Sequence, residues 1–123
     1  MRRFRPLALT AAIALAAAAL APAHAAAQEH TRNVTVTARR FAFDPAVIEV
    51  RQDDLVKVTF RTEDVPHSFT IDDYRIAKRV RAGQTTTFEF RADKAGTFAF
   101  YCNIKTEDGC RQMKGRLVVR PRE

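Results

Sequence analysis

The sequence predicts an all-β fold, an antiparallel β-sandwich of seven to eight short strands, and three observations support it. Stretches in which apolar and polar residues alternate recur along the chain, and they are rich in β-branched and aromatic side chains. These stretches follow one another at a spacing of roughly 8 to 12 residues, which is typical of sandwiches. Turn-forming residues such as Pro, Gly and Asp separate them.

The first half of the domain contains four predicted strands. Residues 33–38 alternate with period two and are rich in Val and Thr, which is typical of a half-buried strand. An apolar Phe-Ala-Phe plug at 41–43 ends in a turn at Pro45, because proline lacks a backbone donor and restricts the residue before it. Further strands are predicted over residues 47–50, 55–61 and 67–71.

The second half is regular except at residues 72–80, where the pattern fits a helical turn and an edge strand equally well. Strands are predicted beyond it over residues 85–91, 97–103 and 116–120. Because the chain has no Trp, we expect phenylalanines to supply the bulk of the core. The predicted core residues include Phe41, Phe43, Phe60, Phe88, Phe90, Phe98 and Phe100.

The N-terminus has the organisation of a secretory signal peptide. Three arginines among the first five residues precede an apolar, Ala-rich run over residues 7–21. The run is too short for a confident membrane span, which needs about 20 apolar residues. An uncleaved anchor is the alternative.

We therefore expect a signal peptide over residues 1–25, with cleavage after Ala25 or Ala27, since small residues suit the cleavage site. The remaining residues, 28–123, form a single domain. Export to the periplasm follows from the signal, and we expect no membrane association after cleavage.

The charge balance argues against a nucleic-acid function. The chain has 21 Lys and Arg against 14 Asp and Glu, and subtracting three arginines of the predicted signal leaves 18 in the mature chain. No clustered basic block stands out, whereas nucleic-acid binding requires one. The modest positive excess could still steer an acidic redox partner.

Apart from the initiator Met, all the sulfur of the chain lies in one strand-loop-strand unit. Cys102 ends a predicted strand, and Cys110 and Met113 follow in the polar loop. His67, the only histidine well inside the chain, begins another strand. Two thiolates favour Cu(I), zinc or an iron-sulfur cluster, and imidazole suits copper and zinc. Because zinc sites use Cys, His and carboxylate ligands, Met113 favours copper.

Two segments resemble the cupredoxin family, the blue-copper sandwich fold. They are Asp-Val-Pro-His-Ser-Phe at 64–69 and Phe-Ala-Phe-Tyr-Cys at 98–102, the latter followed by Cys110, Met113 and Gly115. The spacing is most similar to the dinuclear copper domain of cytochrome c oxidase subunit II and nitrous oxide reductase, whose loop reads Cys-x3-Cys-x3-His-x2-Met. The resemblance implies a Greek-key sandwich that binds copper and serves in one-electron transfer or Cu(I) handling.

Position by position, the resemblance implies a modified ligand set. His67, Cys102 and Met113 match the upstream His, the first Cys and the Met of the family loop. Thr106 stands where the second bridging Cys would be, and Cys110 replaces the loop His. The resemblance therefore implies one copper ion bound by His67, Cys102, Cys110 and Met113. Two thiolates tend to reduce Cu(II) while forming a disulfide, so we expect Cu(I) to be favoured.

Each predicted ligand has an alternative interpretation. Cys102 and Cys110 could form a permanent disulfide, which the oxidising periplasm permits and which would contribute about 2 to 3 kcal/mol. The protein would then be a metal-free structural or binding module. His67 could be a buried turn histidine, and Met113 a core residue.

Other candidate groups remain open. His30 could supply a second imidazole if the N-terminal lead-in folds back. Three acidic residues near the ligand loops could add an oxygen donor, namely Glu63, Glu107 and Asp108. No Ser-His-Asp or paired-carboxylate pattern is visible, so we expect no enzyme, with a Cys102–His67 nucleophile as the alternative. We expect a monomer whose partner is a redox protein or a copper acceptor.

Overall fold

The described residues of this computed structural model contain nine strands and two short 3₁₀ segments. The structure describes residues 2–4, 6, 17–20, 30–106 and 108–122. The strands are β1 (Thr31–Arg39), β2 (Ala42–Asp44), β3 (Val47–Arg51), β4 (Leu55–Thr62), β5 (His67–Ile71), β6 (Ile76–Val80), β7 (Thr85–Arg91), β8 (Gly96–Tyr101) and β9 (Lys114–Arg120). The 3₁₀ segments are Asp72–Tyr74 and Asp108–Gln112.

The predicted signal peptide lies largely outside the described residues. Its boundaries and its cleavage site therefore stay predictions. Within the described part of the chain, no helix combines the length and the apolar character needed to cross a membrane.

The strands form two sheets, in the orders β2-β1-β4-β7 and β3-β9-β8-β5-β6. The predicted all-β sandwich is confirmed. The structure has one strand more than expected, because the apolar plug contains the short strand β2. Two of the pairings, β1 with β4 and β3 with β9, are parallel, and the others are antiparallel. The irregular stretch 72–80 resolves into a 3₁₀ turn followed by the edge strand β6.

A cluster of phenylalanines fills the space between the sheets. Phe69 stacks on Phe100 with ring centroids 4.8 Å apart. Phe43 meets Phe100 edge-on at 5.1 Å, and Phe60 packs against Phe69 at 5.6 Å. Because the side chains of β4 and β9 alternate, one face of each strand contributes to this core. The core also includes Cys102, Cys110 and Met113, which lie in the sulfur loop between the end of β8 and the start of β9.

The prediction that Phe41 is a core residue is wrong. Its side chain is 41% exposed, because Phe41 belongs to the turn between β1 and β2 and not to a strand face. Phe90 and Phe98 are half-buried and pack against Tyr74 at 5.0 and 5.3 Å. They border the core and do not lie at its centre.

Gly115 allows β9 to approach the aromatic cluster closely. A Cβ at this position would overlap the ring of Phe100 and would lie 2.7 Å from the carbonyl oxygen of Ala46. The next residue, Arg116, donates its amide hydrogen to that same oxygen at 2.8 Å. The position therefore has no room for a side chain.

We expect Gly115→Ala to lower the free energy of unfolding by about 1–3 kcal/mol, since overpacking displaces a buried ring or the backbone. Urea unfolding of the wild type and the variant measures the effect. Phe100→Leu provides the control: if the overlap with this ring is the cause, the two substitutions together destabilise less than the sum of their separate effects. A variant with an unchanged unfolding midpoint would show that the close approach does not exist.

Candidate metal centre

The sulfur loop and the start of β5 meet at one end of the sandwich. Cys102 follows β8 directly, Cys110 lies in the 3₁₀ segment Asp108–Gln112, and His67 is the first residue of β5. The nearest ligand atoms of these three residues lie within 4.8 Å of one another. Their exposed fractions are 3%, 0% and 0%, respectively. The structure thus brings together an imidazole and two sulfurs out of contact with solvent.

Cys102 and Cys110 form a disulfide, with their Cα atoms 5.2 Å apart. They are the two cysteines of the sequence, so the structure describes the oxidised state of the pair. A disulfide sulfur has no thiolate charge, and the thiolate is the form that binds metal. The two sulfurs can serve as ligands only after reduction.

Met113 is tied to both cysteines through its backbone. Its carbonyl oxygen accepts a hydrogen bond from the Cys102 amide at 3.3 Å, and its own amide donates to the Cys110 carbonyl at 3.1 Å. Its side chain is 1% exposed. These bonds close the sulfur loop, so the three sulfur-bearing residues share one compact backbone unit.

Asp64 orients the imidazole of His67. Its Oδ1 lies 3.0 Å from Nε2 of His67 and accepts the Val65 amide at 2.7 Å, while its Oδ2 accepts the Arg40 amide at 2.7 Å. A carboxylate can only accept hydrogen bonds, so Nε2 carries the proton in this contact. Nδ1 is buried and has no hydrogen-bond partner within the described part of the chain. In the neutral form of the ring, this tautomer leaves a lone pair free on Nδ1.

The environment keeps Asp64 ionised. Desolvation, the largest single influence, raises its pKa, but hydrogen bonds from the Arg40 amide, His67 and the Val65 amide together outweigh it and lower the pKa to about 2. Asp64 is therefore an acceptor at every physiological pH. A carboxylate that fixes the tautomer of a histidine is the usual partner of a metal-binding imidazole.

Asp64→Asn is expected to weaken copper binding by the reduced protein by roughly 10- to 100-fold, the usual effect of removing such a carboxylate. The amide keeps the size of the side chain but no longer imposes one tautomer on His67. Competition with a chromophoric Cu(I) chelator measures the affinity. Glu63→Gln is the matched control, because Glu63 is the neighbouring carboxylate and contacts Arg39 at 4.0 Å. Equal copper affinities in the two variants would show that Asp64 does not contribute to the site.

Phe41 covers the site on the outside. Its ring lies edge-on to the His67 ring, with centroids 6.4 Å apart. A Cβ built on Gly109 would overlap the same ring, so the turn between β1 and β2 packs tightly against the sulfur loop. The prediction that Phe41 is a core residue does not include this contact with His67.

Two of the other candidate ligands, His30 and Glu63, are not brought to the site. The carbonyl of His30 accepts a hydrogen bond from the first residue of β4, whereas His67 follows the end of that strand. The length of β4, roughly 3.3 Å per residue, therefore separates the two histidines. Glu63 is not part of the three-residue cluster among the described residues. Glu107 and the side chain of Asp108 lie outside the described part of the chain.

Asp64, like Phe41, contacts the candidate site but was not predicted from the sequence. The sequence offers Glu63, Glu107 and Asp108 as candidate oxygen donors, whereas the structure shows the carboxylate of Asp64 in contact with His67. A signal was present in the sequence, because an Asp that precedes a Val-Pro turn commonly bonds to nearby backbone amides. The spacing of three residues from the histidine then allows its second contact.

The donor set fits a soft cation. It offers an imidazole nitrogen with an unused lone pair, and two sulfurs that become thiolates on reduction. The Ser68 amide also donates to Sγ of Cys102 at 3.4 Å, which is a common way to modulate a ligating sulfur. We conclude that the residues present are chemically suited to copper.

Comparison with known proteins agrees with this fold. A nitrous-oxide reductase from Stutzerimonas stutzeri is 32% identical over 92 residues, which cover 72% of this chain and 14% of the reductase. The chain thus matches only a small part of that relative's length. The family described as "Cupredoxin-like domain" matches residues 10–119.

Two solved structures share the fold at low sequence identity. The periplasmic domain of subunit II of cytochrome oxidase (CoxB) of Bradyrhizobium japonicum has a TM-score of 0.65 and 15% identity, and the match covers 73% of this chain and 84% of that domain. The metal binding domain of the Cu(I) exporting P-type ATPase CopA of Streptococcus pneumoniae D39 has a TM-score of 0.60 and 16% identity, with coverages of 76% and 90%. The resemblance drawn from the sequence is confirmed, and the chain belongs to the cupredoxin-like family.

Proposed function

We propose that this chain is a periplasmic copper-handling protein that binds a single copper ion through His67, Cys102, Cys110 and Met113. The role is one of binding and exchange rather than catalysis, and the signal peptide predicted from the sequence would deliver the chain to the periplasm. Bound copper would supply one-electron redox chemistry or serve as cargo. The chain's own residues supply the ligands, their buried environment and the fixed orientation of the imidazole.

One observation carries this proposal. Nδ1 of His67 is buried without a hydrogen-bond partner in the described part of the chain, and one ring nitrogen of His67 lies within 4.8 Å of the two cysteine sulfurs. Leaving a buried polar atom unpaired is unfavourable by about 1–3 kcal/mol, so such an atom calls for an explanation. A metal ion bound to Nδ1 of His67 would supply the missing interaction.

The ligand types favour Cu(I) handling over electron transfer. Two thiolates and a thioether are soft donors, which stabilise the cuprous ion. The CopA domain that shares this fold was solved with Cu(I), and its fold likeness is compatible with the same cargo here. Electron transfer would require a stable Cu(II) state as well. An intense thiolate-to-copper absorption band after Cu(II) loading of the reduced protein would indicate such a state, whereas a Cu(I) carrier stays colourless.

The experiment that tests the proposal is a Cu(I) titration of reduced protein under anaerobic conditions, with a chromophoric competitor. We expect one equivalent to bind, and His67→Ala to lose at least roughly 10- to 100-fold in affinity. His30→Ala is the matched control, since His30 lies at the other end of β4, and it should bind like the wild type. No uptake by reduced wild type, or equal loss in both variants, would contradict the proposal.

The second candidate is a metal-free sandwich domain stapled by its disulfide. The bond between Cys102 and Cys110 favours it, because exported domains commonly use such bonds for stability. Thiol counting with and without mild reductant separates the candidates. A cysteine pair that resists reduction in the folded protein supports a structural disulfide. A pair that is readily reduced supports the copper site.

A further inference from the structure

A groove of about 360 Å³ runs along the outer face of the second sheet beside the sulfur site. One wall is the edge strand β6, and the other is the segment that leaves Cys102. The groove is lined by Ala77, Arg79, Asn103, Ile104, Lys105 and Thr106. Two of these residues are cations and none is acidic, so the groove presents positive charge.

The walls of the groove are fixed by the same contacts that surround Cys102. The Asn103 amide donates to Oγ of Ser68 at 2.7 Å, and the Ser68 amide donates to Sγ of Cys102 at 3.4 Å. Across the sheet, Ser68 is paired with Arg79. Arg79 in one wall is paired with Ser68, and Asn103 in the other wall follows Cys102. Both walls therefore lie beside the hydrogen bond from Ser68 to the sulfur of Cys102.

Among the described residues, the cations of the groove have no acidic partner. Neither Arg79 nor Lys105 forms an ion pair with an acidic residue in the described part of the chain. The adjacent Lys78 differs, because its ammonium group lies 5.6 Å from the ring centre of Phe88. Arg79 points its charge to the opposite face, as alternation along a strand requires. The groove thus has two exposed charges available for an anionic partner.

We propose that this groove docks a carboxylate-bearing segment of a partner protein that exchanges copper with the site. The inference rests on the proposed function, because a partner must approach Cys102 to receive its copper. The exposed side-chain amide of Asn103 gives the groove a contact beyond charge, while the cations set orientation and speed the encounter.

The test uses oxidised, metal-free protein and poly-L-glutamate as the probe, followed by amide chemical shifts at low salt. We expect the largest shifts at residues 77–79 and 103–106, and a loss of affinity on the order of tenfold in Arg79→Glu/Lys105→Glu. Arg32→Glu/Arg61→Glu is the matched control, with the same change in net charge on exposed residues of the other sheet. It should retain most of the affinity.

Three outcomes would overturn the docking proposal: shifts spread over other surfaces, an equal loss in both double variants, or shifts at these amides with phosphatidylglycerol vesicles but not with poly-L-glutamate. Copper titration of reduced Arg79→Glu/Lys105→Glu is run in parallel and should match the wild type. Because the probe binds without metal, peptide binding without copper uptake would refute only the proposed function. Copper uptake without peptide binding would refute only the docking site.

Discussion

Reduction of the Cys102–Cys110 disulfide is expected to raise copper uptake from near zero to a single ion per chain. In the oxidised protein the two sulfurs bond to each other, and neither can act as a thiolate ligand. His67 and Met113 alone offer one nitrogen and one weak sulfur donor, too few for tight binding. Reduction supplies two thiolates in a buried position, so the change in affinity should exceed that of any single ligand substitution.

The measurement is copper retained after desalting, with the thiol content determined on the same samples. Because the sulfurs are 3% and 0% exposed, a small reductant should open the bond faster than a protein thiol does. The control is Cys102→Ser/Cys110→Ser, whose copper content should not respond to reductant. Equal copper in oxidised and reduced wild type would show that the cysteines are not ligands.

Cys110→His is expected to convert a colourless copper protein into an intensely coloured one. The resemblance to the cupredoxin loop places Cys110 where the family has a histidine, so the substitution creates a set of two His, one Cys and one Met. Such a set is typical of blue-copper sites and stabilises Cu(II) beside a single thiolate. It also removes the second thiolate, so no internal disulfide can form on exposure to Cu(II).

The visible spectrum after Cu(II) loading measures this effect, with circular dichroism to establish that the variant is folded. Cys110→Ser serves as the control, because it removes the disulfide without adding an imidazole and should not develop the same band. A folded Cys110→His protein that binds Cu(II) without a thiolate band would contradict the assignment of Cys110 to the ligand position.

The strands could be predicted from the sequence because one face of a strand is more deeply buried than the other. In β4, alternate residues are buried, and the period-two pattern of the sequence records this directly. The edge strand β6 could not be predicted in the same way. Its central residues are exposed on both faces, so apolar and polar residues do not alternate along it. The left-handed conformation of Arg75, which ends the preceding 3₁₀ turn, also has no glycine to signal it.

The site was predictable in its sulfur residues and less so in its surroundings. Cys102, Cys110 and Met113 share one loop, so their proximity follows from spacing alone. The approach of His67 depends on strand order, which the family resemblance implied and the pairing of β5 with β8 provides. The contacts of Asp64 and Phe41 depend on how the turn between β1 and β2 meets the loop before β5, and no local pattern encodes that meeting.

X-ray absorption at the copper edge of Cu(I)-loaded, reduced protein tests the central claim most directly. We predict sulfur scatterers together with a single imidazole, and the loss of the imidazole signal in His67→Ala. A copper environment of nitrogen and oxygen alone, or a spectrum that does not change in His67→Ala, would contradict the proposed site.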